Sequence, residues 1–285
     1  MGKHDRKTLK IPKVEPTTKK RKIAVVGCCG RMGREVTRSV LESEDMELVA
    51  ALEAPGHALA GEDVGLLAAS GKCGVFVCCE LENGLAEADA AVDFSAPPAL
   101  VALLEACAAQ KCALVTGTTG LAPRALAAMD TAIEKIPLVA APNMSVGMNL
   151  LFALTEKAAH ALGPDYDTEI IELHHRHKKD APSGTAIRLA EMVAAARGAD
   201  LKKVGRFSRH GEATRQHGEI GLMAVRAGDI VGEHTVLFAG PNERLELTHR
   251  IASRANFARG ALQAARWVLR QPPGKYDMQD VLGLR

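Results

Sequence analysis

Lys22-Ile23-Ala24-Val25-Val26-Gly27-Cys28-Cys29-Gly30-Arg31-Met32-Gly33 is the stretch on which the fold turns. A short apolar run of β type enters a glycine-rich turn, and from Arg31 to Leu41 the apolar residues Met32, Val36 and Val40 recur on one helical face. A strand that passes through glycines into a helix presents free backbone N–H groups and the positive end of the helix dipole to an anion, as the pyrophosphate of a dinucleotide requires. Glu47 to Leu52 reads as a second strand, and Glu53, twenty residues after Gly33, ends it. A carboxylate there accepts hydrogen bonds from an adenosine ribose. The order strand, turn, helix, strand, acid is far more specific than the glycines alone. Cys29 stands where such a turn has its second glycine. Its side chain is expected to crowd the pyrophosphate and weaken cofactor binding unless the loop is shifted.

Outward from this unit, strands are expected at 75–77, 90–94, 113–115 and 137–141, and helices at 98–109 and 123–135. Strands that are apolar throughout and alternate with helices make a parallel sheet covered on both faces. The pattern changes near residue 145. A helix at 148–162, a strand at 168–177 and a helix at 184–197 precede β-like runs at 219–226, 231–239 and 244–251. Gly-Asp and Gly-Pro-Asn turns between these runs suggest antiparallel strands. A last helix at 257–270 is expected to return to the first sheet. The fold class is therefore α/β: a Rossmann-type parallel-sheet domain over 22–144, joined by 255–285, plus an α+β domain over 145–254 with a mostly antiparallel sheet.

Composition bounds the function. With 285 residues and 47% hydrophobic content the chain can bury a core in one or two domains. No apolar stretch reaches the length of a membrane span, and no secretory signal is expected. The seven cysteines, odd in number and without a CxxC, fit a reducing compartment, so the cytoplasm is expected. Residues 1–22 carry nine Lys/Arg against Asp5 and Glu15, and the net charge of +2 leaves −5 on the rest. The expectation is a disordered basic tail over 1–21 on a body with no nucleic-acid footprint, since 3% aromatic residues provide no stacking platform.

Further loops close later strands. Thr116-Gly117-Thr118-Thr119-Gly120 and Ala141-Pro142-Asn143-Met144-Ser145 each follow a strand, at the edge where parallel sheets bind ligands. Both are candidates for the nicotinamide end of the cofactor. The richest run is Glu172-Leu173-His174-His175-Arg176-His177-Lys178-Lys179-Asp180-Ala181-Pro182-Ser183-Gly184-Thr185. So many cationic donors are stable only when solvated or facing an anion. Ser183, Gly184 and Thr185 then provide a capping hydroxyl and free N–H groups at a helix N-terminus, a seat for a carboxylate. Together these residues describe a pocket for a small dicarboxylate with proton donors beside it. A zinc site on the histidines would need partners that the spacing does not provide, so no metal is expected.

The runs EIIELHHRHKKDAPSGTA (169–186), GCCGRMG (27–33), VTGTTG (115–120), APNMSVGMN (141–149) and VRAGDIVGEHTVLFAG (225–240) closely resemble dihydrodipicolinate reductases of lysine and diaminopimelate biosynthesis, over about residues 22–285. The resemblance implies reduction by NADH or NADPH of the product of dihydrodipicolinate synthase to tetrahydrodipicolinate, with loss of water. It implies His174 as proton donor and acceptor, Lys178 as proton donor, and His175, Ser183, Gly184 and Thr185 as the substrate's seat. For the cofactor it implies Gly27, Cys28, Cys29, Gly30, Arg31, Met32, Glu53, Gly117, Thr118, Thr119, Ala141, Pro142, Asn143 and Met144. A homotetramer joined through the second domain is also implied. Ala54-Pro55-Gly56 after Glu53 offers no cation for a 2′-phosphate, so the reading leans to NADH, unless Arg31 or Arg34 compensates. Two other classes fit the first domain: another two-domain dehydrogenase, which should lack the HHRHK…SGT run, and a nucleotide sensor without turnover.

Overall fold

Runs that are apolar on every residue make strands needing cover on both faces, and the chain supplies it. In the computed structural model, which describes residues 19–285, β1 (Arg21–Val26), β2 (Met46–Leu52), β3 (Val77–Cys78), β4 (Ala90–Asp93), β5 (Ala113–Thr116) and β6 (Pro137–Ala140) lie parallel in one sheet. A seventh parallel strand, β12 (Gly274–Tyr276), joins it late in the chain, and the order is β12-β6-β5-β4-β1-β2-β3. The strand order reverses between β1 and β4, and ligands of such sheets bind in the crevice at that point. One apolar cluster fills the face under α1 (Arg31–Leu41) and α9 (Ala255–Val268). The other lies under α4 (Leu100–Gln110) and α5 (Pro123–Ala132). Short helices α2 (Val64–Leu67) and α3 (Leu81–Leu85) fill the connections around β3.

The second sheet comprises β7 (Asp167–His174), β8 (Gly205–Arg206), β9 (Ile220–Arg226), β10 (Gly232–Gly240) and β11 (Glu243–Ile251). It is mixed, in the order β11-β10-β7-β9-β8. One face packs on α6 (Val146–Leu162) and α7 (Gly184–Ala196) through Ile170, Leu222, Val236 and Phe238. Each of these helices starts on a serine whose hydroxyl accepts a first-turn N–H, Ser145 from Met148 and Ser183 from Ala186. The short α8 (Leu201–Val204) leads into β8, and α10 (Met278–Val281) follows β12. No described helix is long and apolar enough to cross a membrane.

The Rossmann sheet and the second, mostly antiparallel sheet are as expected, with local corrections. The 219–226 run does not pair with its successor. It lies parallel to β7, while β10 flanks β7 antiparallel on the other side. The link between β9 and β10 crosses the end of β7, tied there by the Ala227 N–H to His174 O bond at 2.9 Å and the Arg176 N–H to Gly228 O bond at 3.2 Å. Alternation fixes which face a residue occupies, not which strand lies beside it. The 168–177 strand ends at His174, so the basic run forms a loop, and the 123–135 helix stops at Ala132. Arg21 belongs to β1 rather than to a tail and pairs with Asp45 at 2.6 Å. Residues 1–18 of the expected tail lie outside the described residues.

Candidate active site

On the first sheet the site is made by the backbone. Gly27 turns the chain out of β1 at φ +73°, and a Cβ there would stand 2.9 Å from Ser95 Cα. Gly33 lets α1 pack against the turn, for a Cβ at 33 would lie 2.0 Å from Gly27 O. Gly30 caps α1 without a side-chain hydrogen bond, which leaves the first N–H groups of the helix free for an anion. Glu53 stands opposite and accepts the N–H of Cys29 at 3.0 Å and of Ala54 at 3.1 Å. Between them a cavity of about 720 Å³ opens, lined by Gly27, Gly30, Glu53, Pro55 and Phe94 among others. A glycine turn, an uncapped helix end and an acid at the ribose position fit a dinucleotide.

Asp93, fully buried at the end of β4, explains the threonine loop. It accepts from Thr116 Oγ1 at 2.6 Å and Thr118 Oγ1 at 2.8 Å, so the Thr118 side chain turns inward. Gly117 and Thr119 face a second cavity of about 330 Å³, along with Met32, Pro142, Asn143 and Met144. His174, His175, Lys178 and Thr185 meet them there from the second sheet, the loop after it and the first turn of α7. This cavity therefore joins the expected nicotinamide loops to the expected proton donors.

On the second sheet the site is made by side chains. Glu172 and His174, two residues apart on β7, share a face. Glu172 is wholly buried and accepts from the guanidinium of Arg226 at 2.8 Å through each of two nitrogens, and from Ser183 N–H at 3.0 Å. It also bonds Nδ1 of His174. Burial pushes the Glu172 carboxyl up, but the bonds from His174, Arg226 and Ser183 outweigh it and hold its pKa at about 2. With Nδ1 engaged, Nε2 of His174 has no hydrogen-bond partner among the described residues, and the ring lines the smaller cavity. Lys178 Nζ pairs with Asp180 at 2.9 Å on the rim.

His234 packs edge-on against His174, with ring centroids 5.2 Å apart. Burial above all, with a smaller contribution from the neighbouring His174, lowers its pKa to about 3, so the ring is neutral. His234 and His249 are direct cross-strand partners on β10 and β11. Each ring reaches the serine that caps a helix: His234 Nε2 lies 3.2 Å from Ser183 Oγ and His249 Nε2 lies 3.3 Å from Ser145 Oγ.

Of the expected cofactor residues, Gly27, Gly30 and Glu53 line the larger cavity, and Met32, Gly117, Thr119, Pro142, Asn143 and Met144 the smaller. Arg31 lines an adjoining hollow with His175, Arg176, His177, Asp229 and Arg254. Cys28 and Ala141 sit in the core, and Cys29 packs against it. Ser183 caps α7, while Gly184 is exposed just beyond it. The sequence alone gives no individual role to Glu172, Arg226, His234, His249 or Asp93. The two-residue spacing of Glu172 and His174 is a signal the sequence carries. The others depend on strand register.

The family models described as "Dihydrodipicolinate reductase, N-terminus" and "Dihydrodipicolinate reductase, C-terminus" match residues 21–144 and 147–282. A 4-hydroxy-tetrahydrodipicolinate reductase of Alkalilimnicola ehrlichii is 54% identical over 266 residues, 92% of this chain and 99% of the relative. One of Citrifermentans bemidjiense is 48% identical over 265 residues, 93% and 99% of the two chains. The structure of a dipicolinate-bound dihydrodipicolinate reductase from Paenisporosarcina sp. TG-14 superposes with a TM-score of 0.72 at 25% identity, covering 92% of this chain and 98% of that one. A myo-inositol dehydrogenase from Lactobacillus casei, at 13% identity and TM-score 0.57 over 93% and 91% of the two chains, shares the fold. The chain is a nicotinamide-dependent oxidoreductase and belongs to the dihydrodipicolinate reductase family.

Proposed function

We propose that this chain reduces 4-hydroxy-tetrahydrodipicolinate to tetrahydrodipicolinate with NADH as the preferred reductant. The single observation that carries this reading is the smaller cavity, where His174, His175, Lys178 and Thr185 face the loops at Gly117–Thr119 and Pro142–Met144. The balance is substrate plus a hydride and a proton, giving product and water. Bound in the turn, the dinucleotide supplies the hydride.

The chain's own residues do the rest. The carboxylates of the substrate are seated by His175 and by the start of α7 at Ser183, Gly184 and Thr185, where N–H groups and a helix dipole favour an anion. The dipicolinate bound to the Paenisporosarcina enzyme supports a dicarboxylate here. Negative charge spreads over the ring towards nitrogen as it is reduced, and a positioned acid must quench it. Lys178 donates the one proton of the balance, while His174 Nε2 takes the ring proton that water loss releases and returns it to the departing hydroxyl, so no further proton is consumed. Glu172 acts through His174 as a positioning residue: its carboxylate fixes the tautomer and stabilises the ring when protonated, and Arg226 balances its charge. General acid catalysis of this kind is worth roughly 10²–10⁴-fold.

Three carboxylates, Glu53, Glu80 and Glu82, line the larger cavity without a described lysine or arginine, which supports NADH over a cofactor bearing a 2′-phosphate. Arg34 is committed to Cys29 O at 2.9 Å. We read residues 22–144 with 255–285 as the dinucleotide unit, since α9 packs on α1 and β12 joins the first sheet, and 145–254 as the substrate unit. The uncovered face of the second sheet carries Ile171, Leu173, Met223, Val225 and Leu237, an apolar surface suited to homotetramer assembly. Seven free thiols support a cytoplasmic setting.

The test is a coupled assay with dihydrodipicolinate synthase, pyruvate and aspartate semialdehyde, following nicotinamide absorbance with each cofactor. Consumption that requires the synthase, with a larger kcat/KM for NADH, is expected. No consumption by folded protein would leave a nucleotide sensor as the better reading.

A further inference from the structure

The two adjacent cysteines in the glycine turn move no proton in the proposed reaction. Cys28 Sγ and Cys29 Sγ lie 3.9 Å apart, far beyond the roughly 2.0 Å of a disulfide. Two thiolates bound to one tetrahedral zinc ion at about 2.3 Å each are about 3.8 Å apart. A Glu53 carboxylate oxygen completes the group, all three ligand atoms lying within 4.8 Å of one another. Thiolate and carboxylate are ligands that zinc accepts together, and a fourth position would face the larger cavity, which Cys79 also lines.

We propose that Cys28, Cys29 and Glu53 form a site for a thiophilic divalent cation of the zinc type, and that its occupation excludes the dinucleotide. The exclusion rests on the cofactor reading above; the metal binding does not. Burial keeps the Cys28 thiol protonated, its pKa pushed well above the ordinary range, so coordination must displace that proton. Two Zn–S bonds and one Zn–O bond form as two S–H bonds break, and two protons leave to solvent with no change of oxidation state. The ion then holds the acid that faces the ribose and sits against the turn that faces the pyrophosphate. It draws Glu53 away from the Cys29 and Ala54 N–H groups that this carboxylate now accepts. The ion and the dinucleotide thus compete for one acid and one turn.

The test uses the full, untagged, reduced chain with Co²⁺ as the spectroscopic probe and Zn²⁺ as the inhibitor. One equivalent of Co²⁺ per chain should give near-ultraviolet thiolate-to-cobalt charge transfer, which histidine ligation does not produce. Added Zn²⁺ should abolish the band, and NADH should weaken Co²⁺ binding at least tenfold. Zn²⁺ should raise KM for NADH with kcat unchanged, and chelation should reverse this. Cys29→Gly and Cys29→Ser should each lose the band, two variants guarding against a fold effect in either. No band, or a band that survives both substitutions, overturns the site. Protein that binds NADH equally well with and without the ion overturns the exclusion. Metal-free protein that binds no NADH overturns both the exclusion and the cofactor reading, while leaving the charge-transfer result to judge the site.

Discussion

Around Gly27–Gly33 the cleft is shaped chiefly by backbone, with Arg31 and Met32 at its edge, whereas across it, on β7, β9 and β10, the site is made of side chains held by other side chains. At Gly27 and Gly33 the first region has no room for an added atom, because its contacts there are main chain against main chain. The second region is set by charge: the buried carboxylate of Glu172 takes bonds from a histidine, an arginine and a helix N-terminus. The two halves of one cleft therefore fail in different ways, one by crowding and the other by loss of charge.

The largest break is expected on the side-chain half. His174→Ala and Lys178→Met should each lower kcat by roughly 10²–10⁴-fold while the fold and NADH affinity persist, as measured by steady-state kinetics and cofactor titration. Glu172→Gln comes next. It keeps shape and removes charge, and it should cost about 10–100-fold in kcat, the equivalent of about 1.5–3 kcal/mol for a charge-assisted hydrogen bond. A changed pH–rate profile with an unchanged KM for NADH would mark it as positioning rather than structural. On the backbone half, Gly33→Ala should weaken NADH binding and cost about 1–3 kcal/mol of stability, read by denaturant unfolding, because none of the clashing atoms belongs to a side chain that could move aside.

The smaller effects sharpen the contrast. His234 has its folded pKa lowered to about 3 from 6.5, so the unfolded chain takes up a proton that the folded chain refuses. Its contribution is whole above about pH 6.5 and is lost as pH falls towards 3. Glu172, at about 2 against 4.5, adds to the loss below pH 4.5. Tm should therefore fall on acidification, and His234→Gln should flatten the part of that fall between pH 6.5 and 4.5. The smallest effect is at Cys29→Gly, where NADH should bind only a few times more tightly, as followed by fluorescence titration.

The same contrast explains what the sequence makes legible. The backbone half is local: strand, glycines, helix and acid lie within Lys22–Glu53 and can be read in order. The basic run and the Ser183 cap are legible for the same reason, being contiguous. Arg226, His234 and His249 are not, because they reach the site only through the pairing of β7 with β9 and β10, and of β10 with β11. The departure of 219–226 from a simple meander belongs to the same class, since alternation is silent about neighbours. Thr118 is legible as a loop residue, but its commitment to Asp93 needs β4 and β5 side by side.

His234 and His249, cross-strand partners in register, tie one hairpin to the starts of both α6 and α7. Mechanically this hairpin is a yoke. A slip of register in it would move both contacts at once, so the starts of α6 and α7 are coupled through one pair of cross-strand partners.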